Sequence, residues 1–176
     1  MDRLKNMIAI VACDANWGIG CDGQLQQRVR SDLRRFKAMT WGKVVIYGRN
    51  TLDTFPGGKP LPGRLNIIMR RRKESDLDGC EYVRSLDELM QRLRLLKREG
   101  YRDDDFIVIG GALVYRQLLP YCDTVHVTKF AEAYEADCRF PDLDSSPDWY
   151  IDSQGQWLEE EGVRFRYMLY KRQAIA

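Results

Sequence analysis

In this 176-residue chain a small set of side chains could do chemistry. Asp32 stands four residues before Phe36, on the edge of an apolar stripe that Leu33, Phe36 and Met39 form at helical spacing. A carboxylate at the mouth of an apolar pocket can fix and polarise a ligand bearing neighbouring N–H groups. The plainer reading is a helix-start residue beside Arg35, favoured by the helix dipole by about 0.3–1 kcal/mol. Gly48-Arg49-Asn50-Thr51 follows one strand pattern and Gly110-Gly111-Ala112-Leu113-Val114-Tyr115 another. Glycine at a strand end leaves backbone N–H groups open near the next helix, so both are candidate phosphate cradles. The first also reads as an ordinary strand-to-helix junction, since neither the G-x-G-x-x-G nor the P-loop fingerprint appears. Arg70-Arg71-Arg72-Lys73 is either a solvated loop or a bidentate anion clamp at a strand end. His126 has no nucleophile or metal partner in the pattern and reads as a partly exposed strand residue. Cys13, Cys21, Cys80, Cys122 and Cys138 contain no C-x-x-C pair. They read as reduced thiols in core or loop positions, with neither a metal site nor a disulfide framework.

The elements that must position these groups follow from periodicity. Residues 7–12 are a continuous, β-branched run, as in a strand buried on both faces. Further strands are expected at 43–47, 65–69, 80–83, 106–109 and 124–130, and an antiparallel aromatic pair at 149–152 and 165–170. A helix starts at Ser31 as N-cap, with Leu33, Phe36 and Met39 as its buried stripe. A second opens with the capping box Ser85-Leu86-Asp87-Glu88, buries Leu86, Leu89, Met90, Leu93 and Leu96, and stops at Gly100. A third runs from Ala112 to about Leu119. Residues 14–23 hold three glycines within six positions and read as a long flexible loop of the lid type. The β-α-β order predicts an α/β fold, one domain over residues 1–176. It has a mostly parallel central sheet, an antiparallel C-terminal edge strand and flanking helices.

Charge is high but balanced, with 28 Lys and Arg against 26 Asp and Glu, so no field calls for nucleic acid. The apolar run after Met7 is too short for a signal-peptide core with flanks or for a membrane span. The chain therefore reads as cytoplasmic, without nucleic-acid or membrane partners.

The motifs occur in an order that resembles the dihydrofolate reductase family across essentially the whole chain. They are Ile19-Gly20, Asp32-Leu33 with Phe36-Lys37, Gly48-Arg49 with Thr51, Leu61-Pro62-Gly63-Arg64, the run from Val108 to Tyr115, Thr128 and Phe140-Pro141. The resemblance implies NADPH-dependent reduction of 7,8-dihydrofolate, acting as a monomer and open to antifolate inhibitors. It makes Asp32 the carboxylate that holds the pterin 2-amino group and N3, with Thr128 as its support. Ala12 and Cys13 would line the pterin end, Leu33, Phe36, Phe55 and Leu61 the apolar walls, and Arg64 the clamp on the glutamate α-carboxylate.

On the cofactor side, Ala12, Ile19 and Gly20 would lie by the nicotinamide. Gly48, Arg49, Asn50 and Thr51 would take one phosphate-binding strand end, and Ile109, Gly110, Gly111, Ala112, Leu113, Val114 and Tyr115 the other. The glycine pair would carry a cis peptide. Arg70 and Arg71, with Arg49, would meet the 2′-phosphate that separates NADPH from NADH. The chain departs from the family pattern at Gln26-Gln27, where Pro-Trp is common, at Arg30, where a proline often stands, and at Asn50, beside Arg49. The alternative within the fold is a reductase of a ribosylamino-pyrimidine, which would have no use for Arg64 and an aryl wall.

Overall fold

The computed structural model describes residues 4–20, 26–70 and 79–174. The strands are β1 (Met7–Cys13), β2 (Gly18–Gly20), β3 (Val44–Gly48), β4 (Leu65–Met69), β5 (Cys80–Val83), β6 (Phe106–Gly110), β7 (Cys122–Phe130), β8 (Cys138–Arg139), β9 (Trp149–Gln154), β10 (Leu158–Glu160) and β11 (Val163–Arg172). The helices are α1 (Arg30–Thr40), α2 (Arg49–Leu52), α3 (Leu86–Arg98) and α4 (Ala112–Leu118).

β1 shows why the sheet lies inside. Met7, Ala9, Val11 and Cys13 face the larger core, where Leu89 and Leu93 of α3 and Val114 and Leu118 of α4 also pack. Ile8 and Ile10 face the opposite layer, which gathers Val45, Tyr47, Ile68, Ile107 and Leu52 and is covered by Phe36 of α1 and Phe55. A strand with apolar residues on both faces is stable only between two such layers.

Among the described residues the main sheet has the order β10-β11-β7-β1-β6-β3-β4-β5, with β9 also pairing with β11. β7, β1, β6, β3, β4 and β5 are mutually parallel. β11 runs antiparallel to β7, as expected of the C-terminal strand. It is not the edge, however. Its ten residues are long enough to take β9 and β10, both antiparallel, along its outer side. Because the six central strands are parallel, their C-terminal ends emerge along one rim: Ala12 and Cys13, Gly48, Met69, Val83, Gly110 and Thr128. In open α/β sheets ligands bind along that rim.

Three local expectations are corrected. Ser31 is not the N-cap of α1. The helix starts two residues earlier, at Arg30 with Val29 as N-cap, and has no capping side chain. Leu33 is 44% exposed, and of the α1 residues only Thr40 is fully buried. The reason is that α1 lies along the rim and meets the rest of the fold mainly through Asp32, Phe36 and Thr40, leaving part of its apolar stripe uncovered. In α3, Ser85 accepts from the Glu88 backbone N–H as a capping box requires, but the Glu88 carboxylate takes the Arg84 N–H instead of the Ser85 one.

His126 sits on β7 between Ile10 of β1 and Leu169 of β11. Burial, then the positive charges of Arg35 and Lys171, push its imidazole down from 6.5 to about 4, so it is neutral at pH 7. The unfolded chain binds this proton near 6.5 and the folded chain only near 4, so acidification through that window favours unfolding. We expect stability to fall as pH drops from 6.5 towards about 4, and this component to vanish in His126→Gln. Urea unfolding of both proteins across the window is the check.

Candidate active site

Asp32 lies in the first turn of α1, and its Oδ1 accepts the Thr128 hydroxyl at 2.7 Å. Thr128 is itself buried near the C-terminal end of β7, opposite Ala12 on β1 and Tyr167 on β11. The carboxylate is thus tied to the sheet rim and not merely seated at a helix start. Burial pushes its pKa up. The Thr128 hydrogen bond and the Arg35 charge oppose this, the Glu160 charge reinforces it, and the net direction is upward. A hydrogen bond to a charged group is worth about 1.5–3 kcal/mol, so one such bond offsets desolvation only in part.

The apolar residues expected to wall the pocket come from three segments. Leu33 is half-exposed, Phe36 is partly buried, and Ala12 packs with Val29, Phe130 and Phe165. Phe55 meets Tyr47 edge-on with centroids 5.0 Å apart. Cys13 is placed differently from the expectation. Strand alternation turns its side chain into the larger core on the opposite face from Ala12, fully buried, with its thiol pushed up to about 12 by burial.

Leu61 and Arg64 are held by a residue that sequence reading overlooked. Asn66 of β4 is buried. Its Oδ1 accepts from the Leu61 N–H at 3.0 Å and the Tyr47 hydroxyl at 2.8 Å, while its Nδ2 donates to the carbonyls of Leu61 and Arg64. One amide therefore satisfies both ends of the turn. At Gly63, φ is +73° and an added Cβ would lie 2.3 Å from the Trp41 ring, so only glycine fits. Arg64 donates to the Pro62 carbonyl at 2.8 Å and to Thr40 Oγ1 at 3.1 Å, and no carboxylate among the described residues pairs with it. Burial pushes its pKa down, the mark of a guanidinium partly withdrawn from water.

The two glycine motifs come together because β3 and β6 are parallel neighbours, with Tyr47 opposite Gly110. A Cβ at Gly110 would stand 3.1 Å from Thr51 Oγ1, and one at Gly48 3.3 Å from Val114. The Gly110–Gly111 peptide is cis. Gly48, Thr51, Gly110 and Gly111 thus form one cradle of backbone and hydroxyl, open for lack of side chains. Ala112 is partly buried, while Leu113 is 63% exposed. Tyr115 reaches under the cradle, its hydroxyl donating to the Ile10 carbonyl at 2.6 Å, and Ile109 closes the opposite layer. Arg49 pairs with Asp53 at 2.8 Å, Asn50 is exposed, and Arg70 directly follows β4 on the same rim. Arg71 lies outside the described residues.

The family model for dihydrofolate reductase matches residues 6–172. The chain belongs to the dihydrofolate reductase family. It is 34% identical over 165 residues to the Bacillus subtilis dihydrofolate reductase, covering 93% of this chain and 92% of that one. It is 36% identical over 159 residues to the Mycobacterium leprae dihydrofolate reductase, covering 88% and 90%. A solved structure of dihydrofolate reductase from Enterococcus faecalis, complexed with NADP(H) and RAB-propyl, superposes with a TM-score of 0.79 at 28% identity, covering 96% and 97%. The reading as a pyrimidine reductase is not favoured.

Where the family commonly has Pro-Trp, this chain uses Gln26 to tie down its loop. Asp14 is buried, and its Oδ1 accepts from the backbone of Asn16 and Gly18, each at 2.8 Å. Its Oδ2 takes the Tyr134 N–H at 2.9 Å and the Gln26 amide at 3.1 Å. Burial alone would push its pKa up, but these donors outweigh it and hold the carboxyl below the ordinary range. The start of the expected lid loop is therefore anchored. Ile19 packs on the larger core and β2 pairs with β8, with Gly20 opposite Cys138. Residues 21–23 lie outside the described residues. Asp14 was legible only as a polar residue ending an apolar strand, and Asn66 as a polar break inside one.

Thr128→Val removes the hydroxyl that stabilises the charged form of Asp32. We expect the Asp32 carboxyl to titrate about one pH unit higher than in the unsubstituted chain, checked by carbon-13 NMR of labelled aspartate.

Proposed function

We propose that Asp32, supported by Thr128, is the group through which the chain performs its family's reaction, the NADPH-dependent reduction of 7,8-dihydrofolate to 5,6,7,8-tetrahydrofolate. The chain is an NADPH-dependent oxidoreductase. The observation that carries the assignment of roles is the 2.7 Å bond between a buried strand threonine and a carboxylate whose pKa burial has raised. NADPH, when bound, supplies the hydride that adds at pterin C6, and N5 gains a proton.

The rest falls to this chain's own residues. Asp32 accepts from the pterin 2-amino group and N3, orients the ring and promotes protonation at N5. Its raised pKa keeps part of the population protonated closer to neutrality than an exposed aspartate would be. Leu33, Phe36, Phe55 and Leu61 exclude water from the aryl portion. Arg64, held by Thr40 and lacking a carboxylate partner among the described residues, takes the α-carboxylate of the glutamate tail. Gly48, Thr51, Gly110 and Gly111 fit a phosphate-bearing cofactor because a side chain at either strand end would fill the space. Arg49, Arg70 and Arg71 select the 2′-phosphate. Ala12, Ile19 and Gly20 border the nicotinamide.

We also infer that the chain acts as a monomeric, single-domain enzyme of the cytoplasm. A sheet that takes strands from both ends of the described chain supports one folding unit. The thiols of Cys13, Cys122 and Cys138, none of them in a disulfide, suit a reducing compartment. Among the described residues no helix is long and apolar enough to cross a membrane.

Asp32→Asn should lower kcat/KM for dihydrofolate by about 10²–10³-fold while leaving NADPH affinity unchanged. Stopped-flow hydride transfer and fluorescence binding measure the two, and full turnover in the variant would remove Asp32 from the mechanism. Arg64→Leu should raise KM for dihydrofolate about 10–100-fold with kcat little changed. Steady-state kinetics with an unchanged KM would show that the tail carboxylate binds elsewhere.

A further inference from the structure

α1 carries the catalytic carboxylate but has no capping side chain of its own, because Val29 occupies the N-cap position. One of its exposed N–H groups is nevertheless satisfied from 129 residues away. The backbone N–H of Ser31, directly before Asp32, donates to Oε2 of Glu160 at 3.2 Å. Glu160 is held there by the C-terminal hairpin. It is the last residue of β10, paired with Val163 across a turn in which Glu161 has φ +51° and Gly162 φ +80°. β11 then carries Tyr167 back beside Thr128, and the Arg35 guanidinium stacks 4.0 Å from the Tyr167 ring.

We propose that Glu160 is a positioning residue for the reaction: from the hairpin it caps α1 at Ser31 and holds a second negative charge against the turn that carries Asp32. The proposal rests on Asp32 being the catalytic carboxylate. Among the described residues the groups that face Asp32 are Thr128 on β7, Arg35 on α1, Tyr167 on β11 and Glu160 on β10. His126 lies beyond Arg35 and is neutral at pH 7. Arg35 is the only cation in this set and Glu160 the only second anion. The Glu160 charge favours the protonated form of Asp32, and the Arg35 charge opposes it. The Arg35 guanidinium is also engaged by the Tyr167 ring.

Two substitutions separate the cap from the charge. Glu160→Gln keeps an oxygen acceptor for the Ser31 N–H and removes the charge. Glu160→Ala removes both. In Glu160→Gln the Asp32 carboxyl, followed by carbon-13 NMR in the full chain, should titrate about half a pH unit lower, and the alkaline fall of hydride transfer should move with it. KM for dihydrofolate should stay unchanged. The shift should shrink in molar salt, since Glu160 is partly exposed and screening reaches it. A titration that superposes on the unsubstituted chain, or a shift that salt leaves intact, overturns the role of the charge. In Glu160→Ala the Ser31 amide should exchange with solvent about tenfold faster than in Glu160→Gln, and equal rates overturn the cap. If Asp32→Asn keeps full turnover, the catalytic reading of Asp32 fails by itself, whereas the titration of Asp32 in Glu160→Gln still reports on the Glu160 charge alone.

Discussion

The hydrogen bond from Thr128 to Asp32 is the constraint on which the site depends. It joins residues 96 apart in the chain, and it forms only if the first turn of α1 meets the C-terminal end of β7. That meeting needs β7 in register with β1, Ala12 opposite Thr128, and β11 in register with β7, Tyr167 opposite Thr128. A one-residue slip of β7 would turn Thr128 to the opposite face and leave a partly buried carboxylate without its partner. The sheet's pairing therefore decides whether the Asp32–Thr128 hydrogen bond exists. Burial and compensation are also balanced here. Desolvation raises the Asp32 pKa, one hydroxyl and one guanidinium restrain it, and the net direction stays upward.

Around that centre the loops are held by buried polar side chains. Asn66 binds both ends of the Leu61-Pro62-Gly63-Arg64 turn from inside β4. Asp14 gathers donors from the start of the β1–β2 loop, from Gln26 and from the segment between β7 and β8. A buried polar group is tolerable only when its partners are present, so each of these residues specifies one loop arrangement and penalises others. The glycine cradle works in the opposite way. There the useful feature is absence of side chain, and Gly48 with Gly110 keeps two neighbouring strand ends open beside Thr51.

Local pattern determined a good deal about this protein. The β-branched runs marked the buried parallel strands, and the spacing of Leu89, Leu93 and Leu96 marked α3. The ordered motifs from Ile19 to Phe140-Pro141 carried the family, and with it the reaction, because each motif is a short contiguous piece of chain whose residue types survive without their surroundings. The glycines at both strand ends were legible for the same reason, since a missing side chain is a property of the residue itself.

Tertiary structure decided what depends on neighbours distant in sequence. Leu33 has the spacing of a core residue, yet α1 lies along the rim and leaves it half exposed. Cys13 adjoins Ala12 in the chain, but strand alternation sends it into the opposite layer. β11 has the pattern of an edge strand and is covered by β9 and β10. Ser31 has the chemistry of a cap, and Glu160 supplies the oxygen instead. The pKa of Asp32 belongs to this class as well. Its residue type and helix position are local facts, but its desolvation, its hydroxyl donor and its two charged neighbours come from α1, β7 and β10 brought to one point, and those elements meet only when the whole sheet has formed.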